Sequence, residues 1–453
     1  MRTKKSAKLI LLLLFALFSG NPIISAQSSA NITLEQAFEL ALKNNHLLNV
    51  RRYQVEEKRN KINEDIVKFF PTVSAIGTYQ YNTNLPAITI LQGSFGQLPL
   101  GTNVIKLPPT DYRLEMGKHS IYNAGLTFYQ PVSQIAKINT GVKISRTEMQ
   151  LASAEEKKAV FQVKQSVEKI YYGLLILLKQ IEEAEIKSSL AKSKLSDAEN
   201  AVSAGKTLES NRIGLSASAA DEEQNLLKLK IQYDDLNDDL KRLTGSDPST
   251  ILIPETVSFN DKVETLPAPD SSMIKAETGN NDLRLASLSQ IKATESIRAS
   301  NFGYIPDFGL LGGYTYQEGN NLYPSNNTFI GASLKWNIQD AFSNRTIQRQ
   351  RVFIEKQAEE NLANTRDQIR NDIAKAHRKL KQSAELISVA YRLVEYRRED
   401  YRIQGDRRLS GLNLESDLLT AKATLAKAES DYFAARLNFR IALSDLQILT
   451  GSY

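Results

Sequence analysis

The chain is written twice in strict register. Gly125-Leu126-Thr127-Phe128, Gly205-Lys206-Thr207-Leu208-Glu209-Ser210 and Leu243-Thr244-Gly245-Ser246 recur as Gly331-Ala332-Ser333-Leu334, Gly411-Leu412-Asn413-Leu414-Glu415-Ser416 and Leu449-Thr450-Gly451-Ser452, each pair 206 positions apart (331−125, 411−205, 449−243). A constant offset forbids any change of length between the markers, as expected of long helices that must finish level with one another. The sequence therefore predicts two like units, 27–245 and 273–453, joined by a linker at 246–272. Function is to be sought in an assembly of such units rather than in a catalytic pocket.

Between the markers the periodicity is helical. Leu418, Ala421, Leu425, Ala428, Tyr432 and Ala435 keep the 3, 4, 3, 4 spacing of a coiled-coil seam, as do Leu226, Leu229, Tyr233, Leu236, Leu240 and Leu243 in the first copy. A second seam runs through Val160, Val163, Val167, Ile170 and Leu174, mirrored by Ile369, Ile373, Ala376 and Leu380. No proline interrupts 138–204 or 344–410. Each segment is predicted as one helix, roughly 100 Å long at about 1.5 Å per residue, which crosses a compartment instead of filling a core. Gly205 and Gly411 end these helices and open a hairpin with a shorter second arm. Alanine recurring among Leu, Tyr and Phe lets one helix approach two neighbours, as the wall of a tunnel requires. A plain two-stranded coiled coil is the competing reading of the same heptads.

Four segments read as strands, two per repeat. Val73, Ala75, Gly77, Tyr79 and Tyr81 alternate with Ser74, Ile76, Thr78 and Gln80, and a second strand starting at Tyr304 puts Phe308, Leu310, Tyr314 and Tyr316 on one face. Their partners fall at about 122–130 and 329–338, with Ala124, Leu126 and Phe128 matching Ile330, Ala332, Leu334 and Trp336. The connecting loop is long in the first copy, with Pro86, Pro99, Pro108 and Pro109, and short in the second, as loops facing the cell exterior are free to be. Length, alternation and terminal aromatics fit outer-membrane barrel strands. A soluble two-hairpin sheet is the plainer alternative.

The termini bear on that choice. Arg2, Lys4, Lys5 and Lys8, the apolar run Leu9 to Phe18 and the small residues ending at Ile24-Ser25-Ala26 form a secretion signal at 1–26. Its apolar stretch is short of the roughly 20 residues of a spanning helix, and no later segment is apolar enough to span. With no cysteine there is neither a disulfide framework nor a lipid-acceptor thiol. Membrane attachment must therefore come from strands. Unpaired strand edges cannot face lipid and bacterial barrels have at least about eight strands, so four per chain must be shared between subunits.

The net charge of +6 is dispersed in mixed runs such as Glu155-Glu156-Lys157-Lys158, which read as solvated helix surface and not as a nucleic-acid footprint. His46, His119 and His377 stand apart with no metal-ligand spacing, and no phosphate loop or nucleophile elbow is present. The expectation is a chain that is not an enzyme and holds no metal or cofactor. Energy for any transport comes from a partner.

Leu34-Glu35-Gln36-Ala37 with Ala41-Leu42-Lys43-Asn44-Asn45, the proline-led strand at Phe70-Pro71, the duplicated hairpins and the closing Leu-Thr-Gly together resemble the TolC-like outer-membrane efflux proteins over nearly the whole mature chain. The resemblance implies a mainly α fold with a β-barrel part: long coiled-coil hairpins forming an α-barrel, plus four strands per chain in a shared transmembrane β-barrel. It implies a homotrimer in the outer membrane of a Gram-negative-type bacterium, in contact with outer-membrane lipid, its helices extending into the periplasm. It further implies a periplasmic adaptor protein and an inner-membrane transporter as partners. The chain is then a passive exit channel of a tripartite efflux or type I secretion system. A periplasmic coiled-coil scaffold without transport activity is the alternative.

In that family the hairpin turns close the tunnel like an iris. Its second-repeat pattern is met by Gly411, Asp417, Leu418 and Leu419, so Asp417 resembles a constriction carboxylate. The chain departs from the pattern where a second acid is replaced by Thr420 and a gating tyrosine by Arg407 and Arg408, and the first-repeat counterpart, Asn211, is uncharged. Asp417, Arg407, Arg408 and Asn211 are thus the candidate periplasmic gate, and Gly205, Leu208, Gly411 and Leu414 the candidate adaptor contact at the hairpin tips. The plain alternative is that these are solvated residues at helix ends.

Overall fold

The computed structural model describes residues 29–453 apart from 102, 256–267, 321–322 and 413. The signal expected at 1–26 lies outside the described residues, as does 256–267 of the expected linker. Two units form, each drawing on both repeats.

The first unit comprises Tyr53–Ser153 and Leu285–Asn364. It is built on a four-stranded antiparallel sheet of β2 (Thr72–Tyr81), β7 (Ser120–Pro131), β9 (Asp307–Glu318) and β10 (Asn326–Lys335), in the order β10-β9-β7-β2. Register carries one face across all four strands, Val73 opposite Phe128, Phe128 opposite Gly312, and Gly312 opposite Ile330. That face holds Ala75, Leu126, Leu310, Tyr314, Ala332 and Leu334, while Ser74, Thr78, Asn123, Thr127, Thr315, Gln317 and Ser333 lie on the other. Most of these side chains are exposed, and Ile330 reaches 93%. Aromatics mark both ends of the apolar face, with Tyr79, Tyr81 and Tyr122 at one and Phe128 and Phe308 at the other. β2 and β10 are the edges, each with one side unpaired among the described residues.

Three strand details differ from the sequence reading. β10 runs Asn326–Lys335 and not 329–338, because the helix that follows begins at Ile338, so Trp336, read onto the apolar face, lies just past the strand. β9 begins at Asp307 and not at Tyr304, because Phe302–Tyr304 form a 3-10 turn closed by the Ile305 amide donating to the Phe302 carbonyl at 3.2 Å, and Pro306 has no amide to enter a ladder. The long first loop is itself ordered into ribbons: β3 (Ala87–Ile90) pairs with β6 (Tyr112–Glu115), and β4 (Gln97–Leu100) with β5 (Asn103–Lys106).

The second unit comprises the described residues up to Arg52, Ala154–Arg284 and Thr365–Tyr453. Within it run α3 (Ile135–Ser203) and α7 (Ile338–Leu409), which also enter the first unit, and the shorter α4 (Glu209–Thr244) and α8 (Glu415–Thr450). The last two are both 36 residues long and begin and end 206 positions apart (415−209, 450−244). Cross-helix contacts order the four as α4, α3, α8, α7. Lys230 reaches Glu185 at 3.1 Å from α4 to α3; Lys169 and Gln165 of α3 meet Asp445 of α8 at 3.3 and 2.6 Å; Arg398 of α7 meets Glu429 of α8 at 3.4 Å. α8 buries two stripes at seven-residue intervals, Ala421, Ala428, Ala435, Ala442 and Ala423, Ser430, Leu437, Ser444. Two residues correspond to about 200° of helix rotation, so the stripes lie on nearly opposite sides and α8 is flanked twice. The outer helices keep apolar side chains exposed, among them Leu227 and Ile231 on α4 and Leu386 and Val389 on α7.

The core of this unit lies where Val167, Tyr171 and Leu174 of α3 meet Leu240 of α4, Leu437 of α8 and the N-terminal α1 (Leu34–Asn44). A parallel pair of strands, β1 (Ser29–Ile32) and β8 (Ile251–Pro254), is tied to it: the Tyr171 hydroxyl donates to the Ile32 and Glu255 carbonyls at 3.1 and 2.9 Å. β8 and the first residues of α5 (Pro269–Gly279) fall inside the segment read as linker.

The repeat also extends upstream of the markers. Asn45, between α1 and α2 (His46–Val67), accepts from the Leu47 and Leu48 amides and donates to the Leu243 carbonyl. Asn280, between α5 and α6 (Asn281–Asn301), accepts from Asp282 and Leu283 and donates to Leu449. The asparagines are 235 positions apart (280−45), as are the starts of β2 and β9 (307−72), and the 29-residue excess over 206 falls in the first loop.

Candidate gate and docking face at the helical turns

Both hairpins turn by the same backbone device. Gly205 and Gly411 sit at φ 67° and 69°, a left-handed conformation that a side chain opposes. The Lys206 amide donates to the Ala201 carbonyl and Gly205 to Val202; in the second repeat Leu412 donates to Arg407 and Gly411 to Arg408, at 2.9 and 3.0 Å. Carbonyls left over at each helix end are thereby satisfied, and the turn is a fixed element of the hairpin.

The side chains then diverge. Asp417 stands in the first turn of α8, where its carboxylate accepts from the Leu414 amide at 3.0 Å, on the positive end of the helix dipole. Asn211 occupies the same place on α4 but turns its amide to Thr207, donating to Oγ1 at 2.7 Å. Arg408 crosses its own turn to Glu415, 3.1 Å away, and so joins the two arms of one hairpin. Exposed Arg407 meets no acceptor among the described residues. On the first hairpin Arg212 grips Glu209 and holds that carboxyl below its ordinary value. Nearby on α7, Arg402 bridges Glu399 and Asp406.

Leucines crown the charged turns. Leu208 and Leu414 are the residues before α4 and α8, 73% and 66% exposed, and Leu409 and Leu412 add 89% and 75% at the second turn. The structure thus gathers Arg407, Arg408, Gly411, Leu414 and Asp417 into one turn and Gly205, Leu208 and Asn211 into the other. Leu409 and Glu415, both inside the tip segment 409–417 expected from the sequence to meet the adaptor, belong with them. A Leu-Glu-Ser triplet three residues after each glycine was the available signal for Glu415, but its partner depends on how the turn folds. Each tip can offer a small apolar patch rimmed by charge. Among the described residues no group of His, Asp and Glu is placed to hold a metal, and no helix is long and apolar enough to cross a membrane.

The sequence matches the family described as outer membrane efflux protein over residues 37–246 and 274–452. Among curated proteins, none matches at a significant level. The fold is similar to the CmeC outer membrane channel of Campylobacter jejuni, with a TM-score of 0.73 and 14% identity over 96% of this chain and 91% of that one. It is also similar to a membrane protein from Pseudomonas aeruginosa (TM-score 0.69, 17% identity, 92% and 90% covered) and to the outer membrane protein VceC of Vibrio cholerae (0.67, 15%, 92% and 96%).

Proposed function

Because the chain belongs to the outer membrane efflux protein family, we propose that three copies close into one exit duct, β2 of each pairing with β10 of the next. Three sheets of four give a barrel of twelve strands (3 × 4), an even number as bacterial outer-membrane barrels require. In the same closure α4 of one copy meets α7 of the next, which covers the apolar side chains both edges expose. The observation that carries this reading is the four-stranded sheet: two open edges, and an apolar face bounded by aromatics at both ends. In lipid each unpaired backbone group costs several kcal/mol, so such a sheet must find strand partners, and a periplasmic scaffold would leave its apolar face without an occupant.

The duct is passive. Its energy comes from an inner-membrane transporter reached through a periplasmic adaptor, which docks on the leucine-tipped turns around Leu208 and Leu414. Asp417 lines the throat at the tips. Arg408 is engaged within its hairpin, so Arg407 is the arginine available to a neighbouring tip, and the hairpins move as units when the duct opens, because their turns are internally bonded.

Extraction of outer membranes with detergent, mass measurement of the particle and recording in planar bilayers test this. A three-chain particle with discrete conductance is expected. A chain that washes from membranes with salt or urea and conducts nothing is a scaffold, and the proposal fails.

A further inference from the structure

We infer that the seam between copies is an ion-paired one in a defined register, the α7 edge being basic and the α4 edge acidic, with Lys375 of one copy meeting Asp239 of the next. This rests on the proposed trimer and specifies how its helices join.

The register comes from the duplication. α3 and α4 correspond to α7 and α8 at a 206-residue offset, so a closed ring of hairpins alternates two kinds of junction: α3 against α8 within a chain, and α7 against α4 between chains. The first junction is visible. At it, Gln165 and Lys169 converge on Asp445 at 2.6 and 3.3 Å. Moving each residue by 206 gives Asn371 (165+206), Lys375 (169+206) and Asp239 (445−206), which preserves an amide, an ammonium and a carboxylate in the same three places.

Composition along the two edges agrees. α4 carries Asp234, Asp235, Asp238 and Asp239 within two turns, and α7 carries Lys375, Arg378 and Lys381 at the matching level, while Lys379 is held by Asp445 of its own chain at 3.3 Å. In one chain, among the described residues, Lys375 reaches only Asp372, at 3.5 Å one turn away, and Asp239 only Arg242, at 3.0 Å; the side chains of Lys375 and Asp239 are 69% and 48% exposed. Exposed pairs of this kind are weak and readily exchanged. Arg378 and Asp234 have no ion-pair partner among the described residues. Opposed stripes of like-signed charge select partner and register, as e and g charges do in coiled coils.

The chain has no cysteine, so introduced thiols report without background. Lys375→Cys with Asp239→Cys in one chain, treated with a short bismaleimide in intact outer membranes, is expected to give covalent dimers and trimers, whereas either single variant gives monomers. Lys375→Asp is expected to lower the temperature at which trimers dissociate in detergent, and adding Asp239→Lys is expected to restore it. Equal crosslinking in single and double variants, only monomers from the double variant, or a charge swap that restores nothing would each overturn the seam. The unsubstituted protein's mass in detergent separates the premises: a trimer without these pairs defeats the register alone, and a monomer defeats the duct.

Discussion

A set of substitutions separates the helix cap that Asp417 provides from the throat lining proposed for it. Its carboxylate accepts the Leu414 amide at 3.0 Å in the first turn of α8. Removing an N-terminal cap costs about 1 kcal/mol and losing a charge favourable to the dipole about 0.5 kcal/mol, so Asp417→Ala should raise local opening of this turn roughly tenfold. Amide exchange at Leu414 reads that directly, with global stability little changed because the first turn of α8 is exposed. Asp417→Glu keeps charge and acceptor and should leave both exchange and conductance near the parent. Asp417→Asn tests the throat. The natural Asn211 donates to the Thr207 hydroxyl and does not cap the Leu208 amide, so the Asn variant should open like Ala while also removing one charge per subunit from the proposed constriction and reducing cation preference in planar bilayers. Leu414 exchange unaltered in the Ala variant would refute the cap. Raised exchange with ion preference unmoved by Asn would leave a cap and refute the throat.

Two further substitutions probe the other unit and the core. Ile330→Arg puts a charge at the middle of the apolar sheet face, where about 2–4 kcal/mol is lost in lipid, and should sharply reduce assembled protein in the outer membrane, while Ser333→Arg on the opposite face is tolerated; equal loss from both would contradict the assignment of faces. Burial lifts the Glu168 carboxyl, which accepts from the Tyr453 hydroxyl at 2.8 Å, above its ordinary value. A raised carboxyl favours the fold only while protonated, so its contribution is full below about pH 4.5 and lost as pH rises past the folded value. Glu168→Gln should therefore melt at a higher temperature than the parent at pH 7 to 8, the gap closing toward pH 4, and a gap independent of pH would show that Glu168 does not titrate in this way.

The helices were legible because their signals are local and redundant. Heptad spacing and the glycine at each turn placed the C-terminal ends of α3 and α7 to within one residue, and alternation assigned strand faces such as Leu126 with Phe128. What escaped depends on distant partners. Pairing of Ser29 with Ile251 joins segments over two hundred residues apart, each only four residues long. Prolines 99 and 108 suggested plain loop, yet Pro99 sits in a two-stranded ribbon opposite Val104. The upstream Asn45 and Asn280 pair was hidden because the first loop breaks the 206-residue register. At the turns, positions were readable but bonding was not. Arg408 and Arg407 are adjacent in sequence, and only the path of the chain gives one of them Glu415.

The length difference between the two loops has its own consequence. All 29 surplus residues sit at one end of the β2–β7 hairpin, outside every helix, so insertion there displaces no heptad and disturbs no level at which rods terminate. Natural variation can thus lengthen or shorten this hairpin without touching the helices that carry the 206-residue register.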